Sequence, residues 1–344
     1  MIQANLFLLA TYTIFVSMKT PVDIWVELDA RLSSFGQDAA SREVIVRACQ
    51  KNDWFEPEEI VDAVRSIREE FLSRDKIEHW LACYERPATL PSRTVLVVMA
   101  GNIPLVGFFD LLCVLASGHA CRVKPSSKDT VLIGYVVDLL RTIDPAIPLR
   151  MAEQGERLDA VIATGSDNAN RYFRMLFGGI PSLLRGSRQS VAVLSGRETA
   201  AELSGLEEDI FAYSGLGCRN VSLLFLPRGY MPELRCTALN EKYRRNYLRE
   251  RALLRMCRMP FVDLDGAVLC EDRSFPAALS RIHYTFYDSL ADVEAWLAAH
   301  DDRLQCVVSQ CVRHSRRVAF GRAQHPGLTD YADDVDTMRF LGTI

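Results

Sequence analysis

The sequence predicts an α/β fold with parallel sheets, and two stretches of the chain carry that prediction. Val95 to Ser127 has the pattern of a strand, a turn, a helix and a second strand, a βαβ unit of the length that a parallel crossover requires. Asp159 to Asn170 has the pattern of a short buried strand, a turn of small residues and the start of a helix. Because ligands bind such sheets at the carboxyl ends of the strands, a site is expected at the turns that follow them.

The chain is predicted to be helical from Pro21 to about Tyr84. Glu56-Pro57-Glu58-Glu59 opens one of these helices, because proline and acidic residues favour a first turn. Its apolar stripe is interpreted as core and consists of Ile60, Val64, Ile67 and Phe71.

The first 18 residues, Met1 to Met18, are apolar and uncharged. They lack a basic region and are shorter than a spanning helix, so we interpret them neither as a signal peptide nor as an anchor. A start codon assigned too early, with Met18-Lys19 as the true beginning, is the first interpretation. An amphipathic flap over the body of the protein is the second.

The remaining elements follow from apolar runs and the residues that interrupt them. Thr94 to Met99 is a strand, Leu105 to Ser117 is a helix ended by Gly118, and Ala120 to Lys124 is a second strand. Val221 to Leu226 is a buried strand.

Tyr243 to Arg258 is predicted to be an arginine-rich helix. A solvated face is the ordinary outcome for such a helix, and a docking site for phosphate or a carrier protein is the alternative. The arginines are Arg244, Arg245, Arg249, Arg251, Arg255 and Arg258.

Cys218 is the candidate nucleophile. It lies in the segment from Tyr213 to Asn220, where Gly215 and Gly217 remove side chains from the approach side. The apolar run that follows places the cysteine where a loop enters a sheet. The alternative is a buried structural cysteine, the common state of this residue type.

Polar side chains follow both strands of the βαβ unit. Asn102, in Gly101-Asn102-Ile103-Pro104, lies at one strand end, and Lys124, before Pro125, lies at the next. The alternatives are a turn or cap residue for Asn102 and a surface lysine for Lys124.

The turn Thr164-Gly165-Ser166 is a candidate phosphate cradle. Free N–H groups and the positive end of the helix dipole favour an anion at such a turn. Turn chemistry alone also favours glycine and serine there. Neither G-x-G-x-x-G nor a Walker motif occurs in the sequence.

In their order along the chain, these elements resemble the aldehyde dehydrogenase superfamily, and within it the LuxC-type fatty acyl-CoA reductases. The resemblance covers about residue 90 to the C-terminus. The motifs that carry it are Gly101 to Pro104 for the asparagine loop, Val123 to Ser127 for the cofactor strand, Thr164 to Ser166 for the phosphate turn and Gly217-Cys218 for the nucleophile. Later matches are Phe286 to Glu294, Phe320 to Gln324 and Leu328 to Met338.

The resemblance implies an aldehyde-dehydrogenase-like fold, with a Rossmann-like cofactor domain plus a smaller α/β catalytic domain. The length of 344 residues also favours two domains. The expected division is an N-terminal extension (1–18), a helical part with the nucleotide-binding domain (19–190), the catalytic domain (191–318) and a C-terminal segment that packs back (319–344).

The chain departs from the oxidising members of the superfamily in two places. Those enzymes carry a water-activating glutamate in a Glu-Leu-Gly-Gly-Lys segment, whereas Leu184 to Ser190 has no carboxylate. Such a site is expected to handle water poorly. The Glu-x-Phe-Gly-Pro segment is not recognisable before Phe286; Glu271 is the candidate acid by elimination, although a surface acid is the better interpretation.

The resemblance implies reduction of a fatty acyl-CoA, or another acyl thioester, to the aldehyde. Cys218 would attack the thioester, coenzyme A would leave, and the acyl-enzyme would accept hydride. Asn102 and the N–H of Cys218 would stabilise the oxyanion. Lys124 would bind the adenosine ribose, and Gly165 with Ser166 would meet the pyrophosphate.

NADPH is the expected cofactor. Many NAD-preferring members of the superfamily have a glutamate three residues after the lysine, and this chain has Ser127. A serine leaves room for the 2′-phosphate, and Lys124 and Lys128 supply positive charge.

The composition fits a cytoplasmic enzyme. A net charge of −4 gives no reason to expect nucleic acid or an acidic membrane surface. Ten cysteines without a C-x-x-C motif indicate reduced thiols, and no cysteine and histidine cluster has the spacing of metal ligands. The expected partner is an acyl-CoA or acyl-carrier thioester, with no nucleic acid and no stable membrane insertion. A homo-oligomer is compatible with the sequence.

Three other activities stay open. A CoA-acylating aldehyde dehydrogenase would run the same chemistry oxidatively. A cysteine acyltransferase or thioesterase would need a histidine base, and none of the six histidines lies in a recognisable dyad segment. A non-catalytic scaffold would be favoured by the loss of Asn102 or Cys218, and both are present.

Overall fold

The computed structural model describes residues 20–84, 91–238 and 240–344. Within these ranges the chain forms eleven α-helices and twelve β-strands. The predicted extension, residues 1–18, lies outside the described residues. In the part of the chain that is described, no helix is long and apolar enough to cross a membrane.

Four helices precede the first strand, as predicted. They are α1 (Pro21–Leu32), α2 (Ala39–Lys51), α3 (Pro57–Phe71) and α4 (Arg74–Ala82). The alternating elements that follow are β1 (Thr94–Val98), α5 (Phe108–Ala116), β2 (Ala120–Lys124), α6 (Thr130–Ile143), β3 (Leu149–Met151), β4 (Ala160–Thr164), α7 (Asp167–Phe177) and β5 (Ser182–Arg185).

The second half of the chain builds another sheet and its helices. Its elements are β6 (Gln189–Val193), α8 (Ala200–Phe211), β7 (Val221–Pro227), α9 (Glu241–Met256), β8 (Val262–Asp263), β9 (Val268–Glu271), β10 (Arg281–Tyr287), α10 (Leu290–Ala299), β11 (Leu304–Ser309), β12 (Arg317–Val318) and α11 (Thr337–Leu341).

The first sheet is parallel, with the strand order β3-β2-β1-β4-β5. The chain leaves β1 toward β2 and returns with β4 on the other side of β1, so the order reverses beside β1. Open α/β sheets bind ligands at such a switch point. The carboxyl ends of β1, β2 and β4 lie side by side there, because Val98 pairs with both Lys124 and Ala163.

The second sheet has the order β12-β11-β6-β7-β10-β9-β8 and is parallel except for the β8–β9 pair. Side chains of β7 alternate between its two faces. Leu224 and Leu226 share a buried cluster with residues of α8, and Leu223 and Phe225 share another with residues of α10. The predicted buried strand is therefore covered on both faces.

The helix after β1 is the clearest difference from the prediction. It was expected to begin at Leu105 and begins at Phe108. Leu105 has a φ of 56°, outside the helical region, and its N–H donates to Asp129 Oδ2 at 2.8 Å. The loop that carries Asn102 is longer as a result.

The arginine-rich helix begins and ends two residues earlier than predicted. It begins at Glu241 because the side chain of Asn240 accepts from the N–H groups of Lys242 and Tyr243. It ends at Met256, and Arg258 has a φ of 53°.

The C-terminal segment returns to the first sheet and its helices. Tyr331 accepts a hydrogen bond from Trp80 Nε1 at 2.8 Å, and His119 Nε2 lies 2.9 Å from the carbonyl oxygen of Leu341. Met338 and Leu341 belong to the same buried cluster as α1 to α6.

A buried ion pair fixes this return. Arg185, at the end of β5, donates to both carboxylate oxygens of Asp110 at 2.6 and 2.5 Å, and to Thr337 Oγ1 at 2.7 Å. Both charged side chains are buried. Removing one partner from such a pair leaves an uncompensated charge in a site that water cannot reach.

We therefore expect Asp110→Ala to lower the free energy of unfolding by about 3–5 kcal/mol. The double variant Asp110→Leu/Arg185→Met should be less destabilised than Asp110→Ala, because it leaves no unpaired charge. Urea unfolding measures both. Arg245→Ala, which removes an exposed pair with Glu241, is the control and should change the midpoint little. A double variant that is no more stable than Asp110→Ala would contradict this account.

Candidate active site

The loop between α8 and β7 carries the predicted nucleophile in a constrained backbone. Tyr213, Ser214 and Gly215 all have left-handed conformations, with φ of 53°, 55° and 67°. A non-glycine residue in this region costs about 1–2 kcal/mol. The rest of the site must therefore hold this turn in place.

Asn220 provides part of that hold. Its Nδ2 donates to the carbonyl oxygens of Ala212 at 2.9 Å and Ile210 at 3.2 Å, at the end of α8. Its Oδ1 accepts from the N–H of Gly217 at 2.8 Å. A Cβ at Gly217 would lie 2.9 Å from that oxygen, so this position requires glycine. Nothing in the sequence around Asn220 predicts this role.

Cys218 lies in this turn with its side chain exposed. Ser190 Oγ donates to its carbonyl oxygen at 2.9 Å, which anchors the loop to the start of β6. The protein atoms packed around the thiol raise its pKa, and the positive charge of Arg219 acts in the opposite direction.

Asn102 reaches the nucleophile loop from the first sheet. Its Nδ2 donates to the carbonyl oxygen of Leu216, two residues before Cys218, at 2.6 Å. The structure thus brings together the two catalytic residues predicted from the sequence. An asparagine amide has two N–H groups, so a second donor is available for a ligand.

A cavity of about 180 Å³ opens beside Cys218. Most of its wall is apolar and comes from α3, from the loop after β1 and from the C-terminal segment. The wall includes Ala63, Ile67, Phe71, Ile103, Leu105, Val106, Phe108, Phe109 and Pro326. Among the described residues, no histidine lines it. The cavity has the character of a site for a hydrocarbon chain.

Glu59, on α3, contacts the turn formed by Tyr213 and Ser214. Its carboxylate meets the backbone N–H groups of Tyr213 and Ser214. Burial raises its pKa to about 7, and these two N–H groups limit the shift. The sequence indicated Glu59 only as part of a helix start, because its partners lie far along the chain.

The predicted cofactor residues lie at the carboxyl edge of the first sheet. Lys124 ends β2, and Ser127 lies in the turn that follows; both are exposed. Ser166 caps α7 by accepting from the N–H of Ala169 at 3.3 Å. A Cβ at Gly165 would lie 2.9 Å from the Ala169 Cβ, so glycine lets the helix begin close to the strand end.

This edge fits the diphosphate of a dinucleotide. The first-turn N–H groups of α7 have no partner within the helix, and the helix dipole favours an anion there. The glycine removes a side chain from the approach, and Lys124 adds a positive charge at the end of β2, with β1 between that strand and β4.

The segment from Leu184 to Ser190 supports the loop and contributes no carboxylate. Arg185 is occupied by Asp110, Gln189 Oε1 accepts from Ser222 at 2.7 Å, and Ser190 binds the carbonyl of Cys218. Glu271 ends β9 with its side chain exposed, as the preferred interpretation expected. Within the described residues, no group of three or more histidine, cysteine or acidic side chains could hold a metal ion.

The raised pKa of Glu59 predicts a pH effect on stability. The native state holds its proton up to about pH 7, whereas an unfolded glutamate loses it near 4.5. Between these values the native state binds more protons, so stability falls as the pH rises. We expect Glu59→Gln to match the wild type in Tm at about pH 4 and to exceed it at about pH 8.

The exposed neighbour Glu58 provides a matched control. Glu58→Gln should give a Tm profile parallel to that of the wild type. If the Tm profile of Glu59→Gln is also parallel to that of the wild type, the pKa of Glu59 is not raised in the native state.

Comparisons with known proteins identify the family of the chain. The acyl-CoA reductase (LuxC) family model matches residues 34–236. The long-chain acyl-protein thioester reductase 2 of Photobacterium leiognathi is 26% identical over 176 aligned residues, covering 44% of this chain and 36% of that protein. The match thus spans about a third of that relative's length.

Solved structures show the fold. An NAD+ complex of an aldehyde dehydrogenase from Bacillus cereus is 12% identical, with a TM-score of 0.61 and coverage of 86% of this chain and 72% of its own. An acetylating aldehyde dehydrogenase from Geobacillus thermoglucosidasius is 9% identical, with a TM-score of 0.61. The match covers 92% of this chain and 84% of that protein's chain. The predicted aldehyde-dehydrogenase-like fold is confirmed. Because the family model spans more than half of the sequence, the chain belongs to the acyl-CoA reductase (LuxC) family.

Proposed function

We propose that this protein reduces a fatty acyl-CoA, or another acyl thioester, to the aldehyde through an acyl-Cys218 intermediate, with NADPH as its cofactor. One observation carries the proposal. An exposed cysteine on a constrained loop opens on an apolar cavity, and the amide of Asn102 is bonded to that same loop.

The residues present account for acylation. The Cys218 thiolate attacks the thioester carbon, a tetrahedral intermediate forms, and the carrier thiol leaves. The second N–H of Asn102 and the backbone N–H of Cys218 are the donors for the oxyanion, and each such donor is commonly worth about 3 kcal/mol. Because the pKa of the thiol is raised, acylation should accelerate as the pH rises.

We expect the acyl-enzyme to be reduced rather than hydrolysed, because the one carboxylate in the described cavity wall, Asp330, accepts from the N–H of Gly327 at 2.7 Å. Leu184 to Ser190 offers no carboxylate to activate water, and the cavity wall is largely apolar. A dinucleotide bound at the carboxyl edge of the first sheet supplies the hydride. Lys124 would hold its adenosine ribose, and Gly165 with Ser166 its pyrophosphate.

Two further observations support an acyl thioester reductase. The Photobacterium relative is named as a reductase of long-chain acyl-protein thioesters. A cysteine acyltransferase would need a histidine base, and the cavity wall contains none in the described part of the chain. The ten free cysteines suit a reducing compartment such as the cytoplasm.

We expect Cys218→Ala to abolish both covalent acylation and aldehyde formation. The pure protein would be mixed with acyl-CoAs of graded chain length, acylation would be read by intact-protein mass spectrometry, and NADPH oxidation by absorbance. The loss should come with little change in Tm, because Cys218 is an exposed residue.

Cys257→Ser is the matched control for this test. Cys257 is also exposed, but it lies at the end of α9, away from the cavity. Cys257 should show no acylation above the background of the mass spectrum, and Cys257→Ser should leave turnover unchanged. Acylation that persists in Cys218→Ala would remove Cys218 as the nucleophile.

The cofactor preference depends on the residue that faces the adenosine ribose. An acid at position 127 would repel a 2′-phosphate and accept from ribose hydroxyls. We expect Ser127→Glu to lower kcat/KM for NADPH by about tenfold or more relative to that for NADH, which is about 1.4 kcal/mol. Steady-state kinetics with both cofactors measure this ratio.

Ser127→Gln separates charge from size. It has nearly the shape of Ser127→Glu without the charge, so the ratio should stay near that of the wild type. A wild type that strongly favours NADH, or equal shifts in the two variants, would show that position 127 does not select the cofactor by charge.

A further inference from the structure

Gln324 is a buried amide with an unused donor beside the nucleophile. The residue is only 9% exposed, and its Nε2 has no hydrogen-bond partner. It lines the cavity that contains Cys218. Among the described residues that line this cavity, Gln324 is the one with a buried side-chain nitrogen or oxygen that lacks a hydrogen-bond partner. Burial without a partner destabilises a protein unless something else, such as a ligand, takes the hydrogen bond.

The residues on both sides of Gln324 are held by hydrogen bonds. Asp209, on α8, accepts from the N–H of Gly321 at 2.7 Å and from the N–H of Ala323 at 2.9 Å. On the other side, His325 Nδ1 lies 3.1 Å from Ser66 Oγ, and its Nε2 lies 2.9 Å from Glu208 Oε1.

These contacts place the Gln324 amide against the nucleophile loop. A Cβ built on Gly217, the residue before Cys218, would lie 3.8 Å from Gln324 Oε1. The amide therefore lies beside the residue that precedes Cys218, in the wall of the same cavity.

We propose that Gln324 Nε2 donates a hydrogen bond to the carbonyl oxygen of the bound acyl thioester and to the oxyanion that forms from it. This inference rests on the proposed function of Cys218. The thioester oxygen needs donors in a largely apolar cavity, and one N–H of Asn102 is already taken by Leu216. A donor held in place beforehand stabilises the negative charge that develops during attack.

A catalytic role and a structural role predict different results for the same substitution. A glutamine that held the fold through its amide would lower Tm when replaced. The Nε2 of Gln324 has no partner, so an apolar residue of similar shape should be tolerated or even stabilising. Loss of rate without loss of Tm is thus the signature of a group that acts on the substrate.

The experiment compares Gln324→Met and Gln324→Glu with the wild type in single-turnover acylation by acyl-CoA, without reductant, followed by mass spectrometry. We expect Gln324→Met to acylate Cys218 about 100-fold more slowly, similar to Asn102→Ala, with Tm no lower than that of the wild type. Gln324→Glu should be at least as slow, because it replaces the donor with a carboxylate. The infrared stretch of a ¹³C-labelled acyl carbonyl on Cys218 should move to higher frequency in Gln324→Met, because the carbonyl loses a hydrogen bond.

Gln305→Met is the matched control. Gln305 is also buried with an unpartnered Nε2, but it lies on β11, outside the cavity wall, and its Oε1 accepts from the N–H of Asp333 at 3.3 Å. Its substitution should lower Tm and leave the acylation rate within about threefold, since the reacting atoms are untouched.

The outcomes separate the two proposals. A wild type that forms no acyl-enzyme contradicts the proposed function. If the wild type forms the acyl-enzyme, and Gln324→Met forms it at the same rate and with the same carbonyl frequency, this inference alone is contradicted. A Gln324→Met protein that loses rate and Tm together, with an unshifted carbonyl, would make Gln324 a structural residue.

Discussion

The site depends on the left-handed run of Tyr213, Ser214 and Gly215, which turns the chain between α8 and β7. Two of these residues have side chains, so the turn costs about 1–2 kcal/mol for each of them and does not form from local preference. It persists because Asn220 holds it from within the loop, Asn102 from the first sheet and Glu59 from α3. The loop of Cys218, the predicted nucleophile, therefore depends on contacts from the first sheet and from α3 as well as on its own residues.

The C-terminal segment completes the cavity and couples the same parts. It leaves the second sheet after β12, is held against α8 by Asp209, and reaches the first sheet at the Arg185 ion pair. Since that ion pair also binds Thr337, the segment is fixed at both ends, and the residues between these ends form one wall of the cavity. The family model ends at residue 236, so this wall belongs to the part of the chain that the model does not match.

The sequence predicted the elements correctly where neighbouring residues mark their bounds. The bounds of β2 and the apolar stripe of α3 agree with the structure, because turn residues and periodicity mark them within a few positions. The start of α5 was wrong by three residues, because Asp129, 24 positions away, takes the N–H of Leu105. The placement of Asn102 near Cys218 followed from the motif resemblance, and the structure adds the hydrogen bond that joins their loops.

The supporting residues could not be found in this way. The roles of Glu59, Asn220 and Gln324 come from partners that meet only in three dimensions, and nothing in their immediate neighbours marks them. Gln324 had one indirect signal, since it ends the Phe320 to Gln324 segment that resembles the tail of the reductases. That signal indicated the family, whereas the amide nitrogen without a hydrogen-bond partner indicated a role toward the substrate.

Three carboxyl groups each hold one of the loops that form the site. Glu59 faces the Cys218 loop, Asp129 binds the loop of Asn102, and Asp209 binds the turn of Gln324. Burial raises the pKa of each to about 7. When they ionise, their hydrogen bonds from backbone N–H groups strengthen, because charged acceptors bind more tightly. The free energy of unfolding falls as the pH rises from about 4, where these groups ionise in the unfolded chain, toward 7, and it levels off once they ionise in the native state. We therefore expect the loss of stability to come first, below pH 7, and the tightening of the three loops to follow as the native carboxyls ionise near pH 7.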